Sequence, residues 1–125
     1  MKKLLALGAV CAVALVGGLT IAQAKEEGPE SKLISGEVIS LCNYLVRGQH
    51  GEEGREAGIF LTEKKGLPIA ILEDDTDKIY IAIWKGFQPA TQKLAPLMGK
   101  KVNAKGFVYA QGGTNLIELQ IVSEQ

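Results

Sequence analysis

Apolar and polar side chains alternate with a period of two along most of five stretches from residue 33 onward, and residues 67–72 are apolar throughout; both patterns are typical of β-strands. The predicted strands cover residues 33–46, 67–72, 78–84, 101–110 and 116–122. Helical spacing before a glycine predicts short helices over residues 55–65 and 90–98. Glycine-rich or acidic segments predict a loop and two turns at residues 47–54, 73–77 and 111–115.

The order of these elements indicates the fold class. Five strands with a helix between the third and the fourth follow the order of the OB-fold, a small Greek-key barrel. Gly99 ends the second helix just before the fourth strand, and Gly106 within that strand allows the bend that a barrel corner needs. We therefore predict an all-β domain over residues 33–125, a five-stranded OB-type barrel with one or two short helices.

Three stretches of this domain carry a family resemblance. They are residues 36–39, 66–72 and 97–106. In these stretches the chain resembles exported bacterial single-domain OB-fold proteins, which are relatives of anticodon-binding-like OB modules. The resemblance covers nearly the whole domain and implies its fold, but it does not indicate a ligand.

One group of those proteins has a cysteine near the end of the first strand and a His-x-x-Cys-x-x-x-Cys motif before the second. The cysteines and the histidine of that group could bind a metal or a haem-like group, or the cysteines could form disulfides. This chain keeps the first cysteine as Cys42, but Arg55, Gly58 and Thr62 stand where the histidine and the two other cysteines would be. We therefore expect no metal site and no cofactor.

The first 24 residues have the organisation of a cleaved secretory signal peptide. Lys2 and Lys3 precede an uncharged apolar run over residues 4–21, and Ala22-Gln23-Ala24 forms a small-x-small cleavage site. The run approaches the roughly 20 residues that span a membrane, so a retained anchor is the alternative. We predict a periplasmic mature protein without a membrane span, in which residues 25–32 form a flexible lead-in.

Charge and cysteine content narrow the possible functions. Of the 14 basic residues, Lys2 and Lys3 leave with the signal peptide, so 12 remain against 14 acidic ones and the net charge is about −2. Nucleic-acid binders carry a surplus of lysine and arginine, so this balance argues against nucleic acid. Cys42 becomes the only cysteine, which excludes an intramolecular disulfide, and its apolar strand pattern predicts that it is shielded.

The polar residues do not form a recognisable catalytic or metal-binding pattern. Cys42 and His50 together fall short of the three or four ligands that zinc needs. The acidic run at residues 73–77 lacks the glycine and distant glutamate of a calcium loop and fits a hairpin turn. We predict a non-enzymatic protein. The alternatives are a metal- or redox-linked envelope protein using Cys42 and His50, and an accessory subunit of an envelope complex.

Aromatic residues on the third and fourth predicted strands are the best indication of a working surface. On the third strand, Ile79, Ile81 and Ile83 share one face, and the aromatic side chains share the other. Because small barrels fill their interior with branched side chains, we predict that the isoleucines point inward. On the fourth strand, the aromatic face lies opposite Val108.

OB-folds bind ligands on their outer side, partly by stacking on aromatic rings. We therefore predict contact with a small oligomeric ligand or an envelope protein through an aromatic outer face. The predicted contact residues are Lys78, Tyr80, Trp84, Lys105, Phe107 and Tyr109. The alternative is that these aromatic side chains pack beneath the helix or the long loop.

Overall fold

The computed structural model describes residues 29–125, so the predicted signal peptide and residues 25–28 of the lead-in lie outside the described residues. The strands are β1 (Glu30–Ser40), β2 (Ile69–Glu73), β3 (Ile79–Trp84), β4 (Gln88–Pro89), β5 (Lys101–Gln111) and β6 (Thr114–Glu124). The α-helices are α1 (Leu41–Arg47), α2 (Arg55–Ile59) and α3 (Thr91–Leu94). A π-helical turn, Phe60–Lys64, extends α2, and a 3-10 turn, Ala95–Leu97, extends α3.

The five long strands close into a barrel. Strand β1 pairs antiparallel with β2 and β5, β2 pairs with β3, and β5 pairs with β6. A parallel pairing of β3 with β6 completes the ring. Because α3 lies between β3 and β5, the prediction of an all-β OB-type barrel with short helices is confirmed. The two-residue β4, which pairs with the end of β3, was not predicted.

Glycines allow the strands to approach closely where the barrel bends. The pairing of β5 with β6 shifts register between Lys105 and Gly106. A side chain at Gly106 would collide with the carbonyl of Glu118, so only glycine fits at this bend. The expected role of Gly106 in the barrel corner is therefore confirmed.

The prediction that the first strand continues beyond Ser40 is wrong. The strand ends at Ser40, and residues 41–47 form α1. The Ser40 hydroxyl accepts a hydrogen bond from the Asn43 N–H at 3.2 Å, which is an N-cap arrangement that starts the helix. Leu41 and Tyr44, spaced at i and i+3, then pack on the outside of the barrel. Because these residues continue an apolar run, their helical spacing was not recognised in the sequence.

Helix α1 creates a second apolar cluster on the outer face of the barrel. Its buried members are Ile39, Ala70 and Leu72, which Leu41, Tyr44 and Ile79 cover. Strands β1, β2 and β3 are therefore apolar on both faces, one facing the interior and the other facing α1.

This double burial explains why the predicted orientation of β3 is wrong. Tyr80 is only 1% exposed and lies with Ala82 in the interior cluster, while Ile79 and Ile81 are half-buried on the outer side. Alternation with a period of two separates the faces of a strand, but it cannot identify the inner face when both are apolar. The interior around Tyr80 includes the small side chains Ala82 and Ala104, which leave room for an aromatic ring.

No helix among residues 29–125 is long and apolar enough to cross a membrane.

Candidate functional site

The six predicted contact residues separate into three places. Near the start of β3, the buried Tyr80 accepts a hydrogen bond at its hydroxyl from Lys32 Nζ at 3.2 Å, and this bond raises the pKa of Lys32. The Lys78 ammonium lies 6.0 Å from the centre of the same ring. The placement of Tyr80 on the outer surface is therefore wrong, and its ring stabilises the barrel interior.

Lys105, Phe107 and Tyr109 lie on the outer face of β5, opposite Val108, as expected. The Tyr109 hydroxyl donates a hydrogen bond to the Glu118 carboxylate at 3.2 Å, and partial burial together with this bond raises the pKa of Tyr109. Phe107 and Tyr109 form, with Leu33 and Ile121 on either side of Lys105, what we call the apolar strip on the outer face of β1, β5 and β6. Leu33 is 70% exposed and Ile121 is 62% exposed.

Trp84 lies at the other end of β3, beside a groove of about 520 Å³. The groove is lined by Glu63, Trp84, Gln88, Pro89, Thr91, Gln92 and Lys93. One part of the half-buried indole packs against the interior cluster, and another part lines the groove. We call this feature the Trp84 groove.

Two lysines approach the indole ring. Lys93 Nζ lies 5.3 Å and Lys85 Nζ lies 5.9 Å from the ring centre, which is within the range of cation–π attraction. Among residues 29–125, neither ammonium has a carboxylate partner within 4.0 Å. Glu63 is the single acidic residue in the lining of the groove. The groove therefore combines an aromatic wall with one lining cation, Lys93, while Lys85 approaches the same ring from outside the lining.

The hairpin of β3 and β4 and the helix α3 build this groove. Trp84 faces Gln88 across the hairpin, and the Gly86 N–H in the turn donates to the Glu118 carboxylate at 2.9 Å. Ala90 and Leu94 are buried against the barrel and fix α3, so that the exposed Lys93 extends over the indole. The sequence pattern identified Trp84 as a contact residue but gave no indication of Lys85 or Lys93.

Phe87 stands at the tip of the same hairpin. Its side chain is 72% exposed, and its φ of 57° lies in the left-handed region that bulky residues seldom adopt. Neighbouring Gln88 lines the Trp84 groove. An exposed aromatic side chain is thus held beside the groove in an unfavourable backbone conformation.

His50 is bound to the barrel rather than to Cys42. Its Nδ1 lies 3.1 Å from the carboxylate of Glu37, a buried residue that also accepts the Gly51 N–H. The Tyr44 ring meets the imidazole edge to face, with the ring centres 5.8 Å apart. His50 is therefore held by the barrel, although its side chain is 49% exposed. The interaction with Glu37 fastens the loop after α1 onto β1.

Cys42 lies on α1, not in a strand, and it is only partly shielded. Within residues 29–125, no group of three or more histidine, cysteine, aspartate or glutamate side chains is arranged to hold a metal ion. Because the His50 ring is engaged by Glu37, the geometry lends no support to a shared site of Cys42 and His50.

The positions that depart from the Cys/His motif form a packing surface. Arg55 donates hydrogen bonds to the carbonyls of Met98 at 2.5 Å and Pro96 at 3.1 Å. A side chain at Gly58 would lie 2.8 Å from the Met98 sulfur, so glycine permits close contact there. The buried Thr62 hydroxyl donates to the Gly58 carbonyl at 3.0 Å. Arg55 and Gly58 thus join α2 to the segment before β5, whereas Thr62 bonds within its own helical segment.

A second groove, of about 460 Å³, lies on the outer side of β3, near the surface through which OB-folds bind ligands. Its lining includes Leu41, Ile79, Ile81 and Asn115 but no aromatic side chain. The adjoining outer face of β2 is covered by α1. The Trp84 groove, by contrast, joins an aromatic ring to the charged side chains of Lys93 and Glu63.

No protein-family model, curated protein or solved structure matches this chain.

Proposed function

We propose that this protein is a non-enzymatic binding module that works in the periplasm and holds an oligomeric ligand in the Trp84 groove. The observation that carries the proposal is the partly accessible Trp84 indole beneath two lysine ammonium groups that have no carboxylate partner among residues 29–125. Flat groups stack on such rings, and anions are attracted to the lysines.

The size and lining of the groove support recognition of a ligand. Its volume lies within the range of about 300–1,000 Å³ that is common for small-ligand sites. Gln88 and Gln92 offer amide donors and acceptors at its walls. Such groups orient a bound molecule. The groove therefore suits a segment of a longer ligand whose ends extend into solvent.

A periplasmic location is part of this proposal, together with the relation to exported bacterial OB-fold proteins. The support is the lysine-initiated apolar segment and small-x-small site in residues 1–24, followed by a domain with the expected barrel fold.

Trp84 is the only tryptophan of the chain, so its fluorescence reports directly on the groove. The experiment screens arrays of saccharides, peptides and lipids, and then titrates each hit by fluorescence and calorimetry. We expect a hit to shift Trp84 emission and Trp84→Phe to weaken its binding in calorimetry while the variant stays folded. Tyr109→Phe on β5 serves as the matched aromatic control. Hits that bind Trp84→Phe as well as the parent would contradict the proposal.

A second candidate function is an accessory subunit of an envelope complex, which the apolar strip favours. Leu33 and Ile121 flank Lys105 in the strand register and, with Tyr109, expose apolar surface on three neighbouring strands; exposed apolar patches rimmed by polar residues often mark protein interfaces. Co-purification from the periplasmic fraction tests this candidate. A bound partner lost specifically in Ile121→Glu would support it, and unchanged recovery of all partners with that variant would contradict it.

A further inference from the structure

We infer that the Trp84 groove recognises an acidic saccharide, namely a sugar ring that carries a carboxylate; this inference rests on the proposed function. The groove offers an aromatic wall, the lining cation Lys93 and amide side chains, and Lys85 approaches the same indole from outside the lining. Each of these features corresponds to one part of such a ligand.

The indole accounts for the ring of the ligand. A sugar presents a face of C–H groups that packs on an aromatic surface, and OB-folds are known to accommodate oligosaccharides. Because Trp84 also packs against the barrel interior, its ring is held in place before the ligand arrives. Pro89 adds a second apolar surface to the groove without a backbone donor.

Lys85 and Lys93 account for the acidic group. Their ammonium groups lie 5.9 and 5.3 Å from the indole centre, so a carboxylate on a stacked ring falls within their reach. An exposed lysine side chain can rotate away from the ring face at little cost, because cation–π contacts at exposed sites are weak. The lysine then exchanges its contact with the indole for an ion pair with the carboxylate of the ligand.

The amide groups account for the hydroxyls. Gln88 and Gln92 are exposed at the groove, and each carries both a donor and an acceptor. The Thr91 hydroxyl and the Glu63 carboxylate add further partners. A site with several neutral polar groups favours a ligand with many hydroxyls over a purely apolar one.

The charge pattern favours one acidic group per ring over a polyphosphate. Binding of nucleic acid neutralises several phosphates with as many basic side chains. Only Lys85 and Lys93 approach the indole, and Glu63 offsets one of these two charges, so the site cannot neutralise several phosphates. Charge complementarity therefore selects a singly acidic unit.

A galacturonic acid trimer and its methyl ester form a matched pair of probes, because esterification removes the charge and leaves the ring. We expect the acid to shift Trp84 emission and to bind about tenfold more tightly than the ester, the effect of losing one charge-assisted contact of about 1.4 kcal/mol. Lys93→Gln should remove most of this difference, whereas Lys100→Gln, at a lysine that does not line the groove, should preserve it. Trimers of glucuronic and mannuronic acid, each with its ester, complete the panel.

Equal binding of acid and ester would overturn the inference while leaving the groove as a binding site. Preference for a triglutamate peptide over every acidic trimer would overturn it in favour of a protein ligand. If no acidic trimer binds, the inference fails, and the array screen then decides separately whether the proposed function also fails.

Discussion

At the scale of single residues, Phe87 combines two unfavourable features, a positive φ and an exposed aromatic side chain. We expect Phe87→Gly to stabilise the fold by about 1 kcal/mol, because glycine adopts the left-handed region freely. Urea unfolding followed by circular dichroism measures the change. Phe87→Ala is the control, since it removes the ring but keeps the backbone strain and should bring little gain. If both variants unfold at the same urea concentration, strain at Phe87 does not limit stability.

Tyr80 and Ile81 are adjacent on β3 but face opposite sides of the barrel wall. Because Tyr80 is buried in the interior cluster, Tyr80→Ala should cost about 3–5 kcal/mol, in the range of aromatic truncations in cores. The half-buried Ile81 lines the outer groove, so Ile81→Ala should cost distinctly less. Thermal and chemical unfolding of both variants gives the comparison. A larger loss for Ile81→Ala would indicate that Ile81, rather than Tyr80, faces the barrel interior.

Residue patterns alone predicted only part of the candidate site. The outward face of β5 with Lys105, Phe107 and Tyr109 followed from alternation, since the opposite face carries core residues such as Val108. The same rule failed on β3, where α1 makes the outer face apolar as well. Trp84 was identified for its aromatic side chain, but its two lysines come from a hairpin turn and from α3, whose approach depends on tertiary packing.

At the scale of elements, the Glu37 carboxylate fastens the loop after α1. We expect Glu37→Ala to cost about 1–3 kcal/mol, because the Gly51 N–H and the His50 imidazole lose their buried acceptor. Hydrogen exchange should show faster opening at Gly51. Glu53→Ala, at an exposed carboxylate of the same loop, is the control and should leave exchange at Gly51 unchanged. Protection of Gly51 that survives in Glu37→Ala would show that other contacts hold the loop.

The helices differ in how well the sequence predicted them. The helix over residues 55–65 was predicted because Gly66 ends it, and the structure has α2 with its π-helical extension there. Helix α1 was missed because its apolar residues continue directly from β1, and the capping residue Ser40 lies within that run. A short helix of this kind is stabilised by its packing on the barrel, which local patterns do not reveal.

At the scale of the whole molecule, the order of strands and helices was sufficient to predict the OB-type barrel. The order restricts the possible topologies strongly, because connections between strands are short and sequential strands tend to be neighbours. The parallel closure of β3 on β6 is a property of that topology and cannot be read from any single strand.

The proposed export also concerns the whole molecule. We expect protein recovered from the periplasmic fraction to begin at Lys25, because Ala24 ends the small-x-small site. Intact mass spectrometry measures this directly, and Ala24→Asp, which should block cleavage, provides the control. A periplasmic protein whose mass still includes Met1 would contradict the predicted cleavage.

The most direct test of ligand binding in the Trp84 groove is nuclear magnetic resonance. Chemical shifts are mapped while the protein is titrated with a ligand found in the array screen. We expect the largest changes at the indole N–H of Trp84 and at the amides of Lys85 and Lys93, while the amide shifts of Lys105 and Tyr109 stay unchanged. Changes concentrated on the outer face of β5, with the Trp84 indole unaffected, would contradict binding in the Trp84 groove.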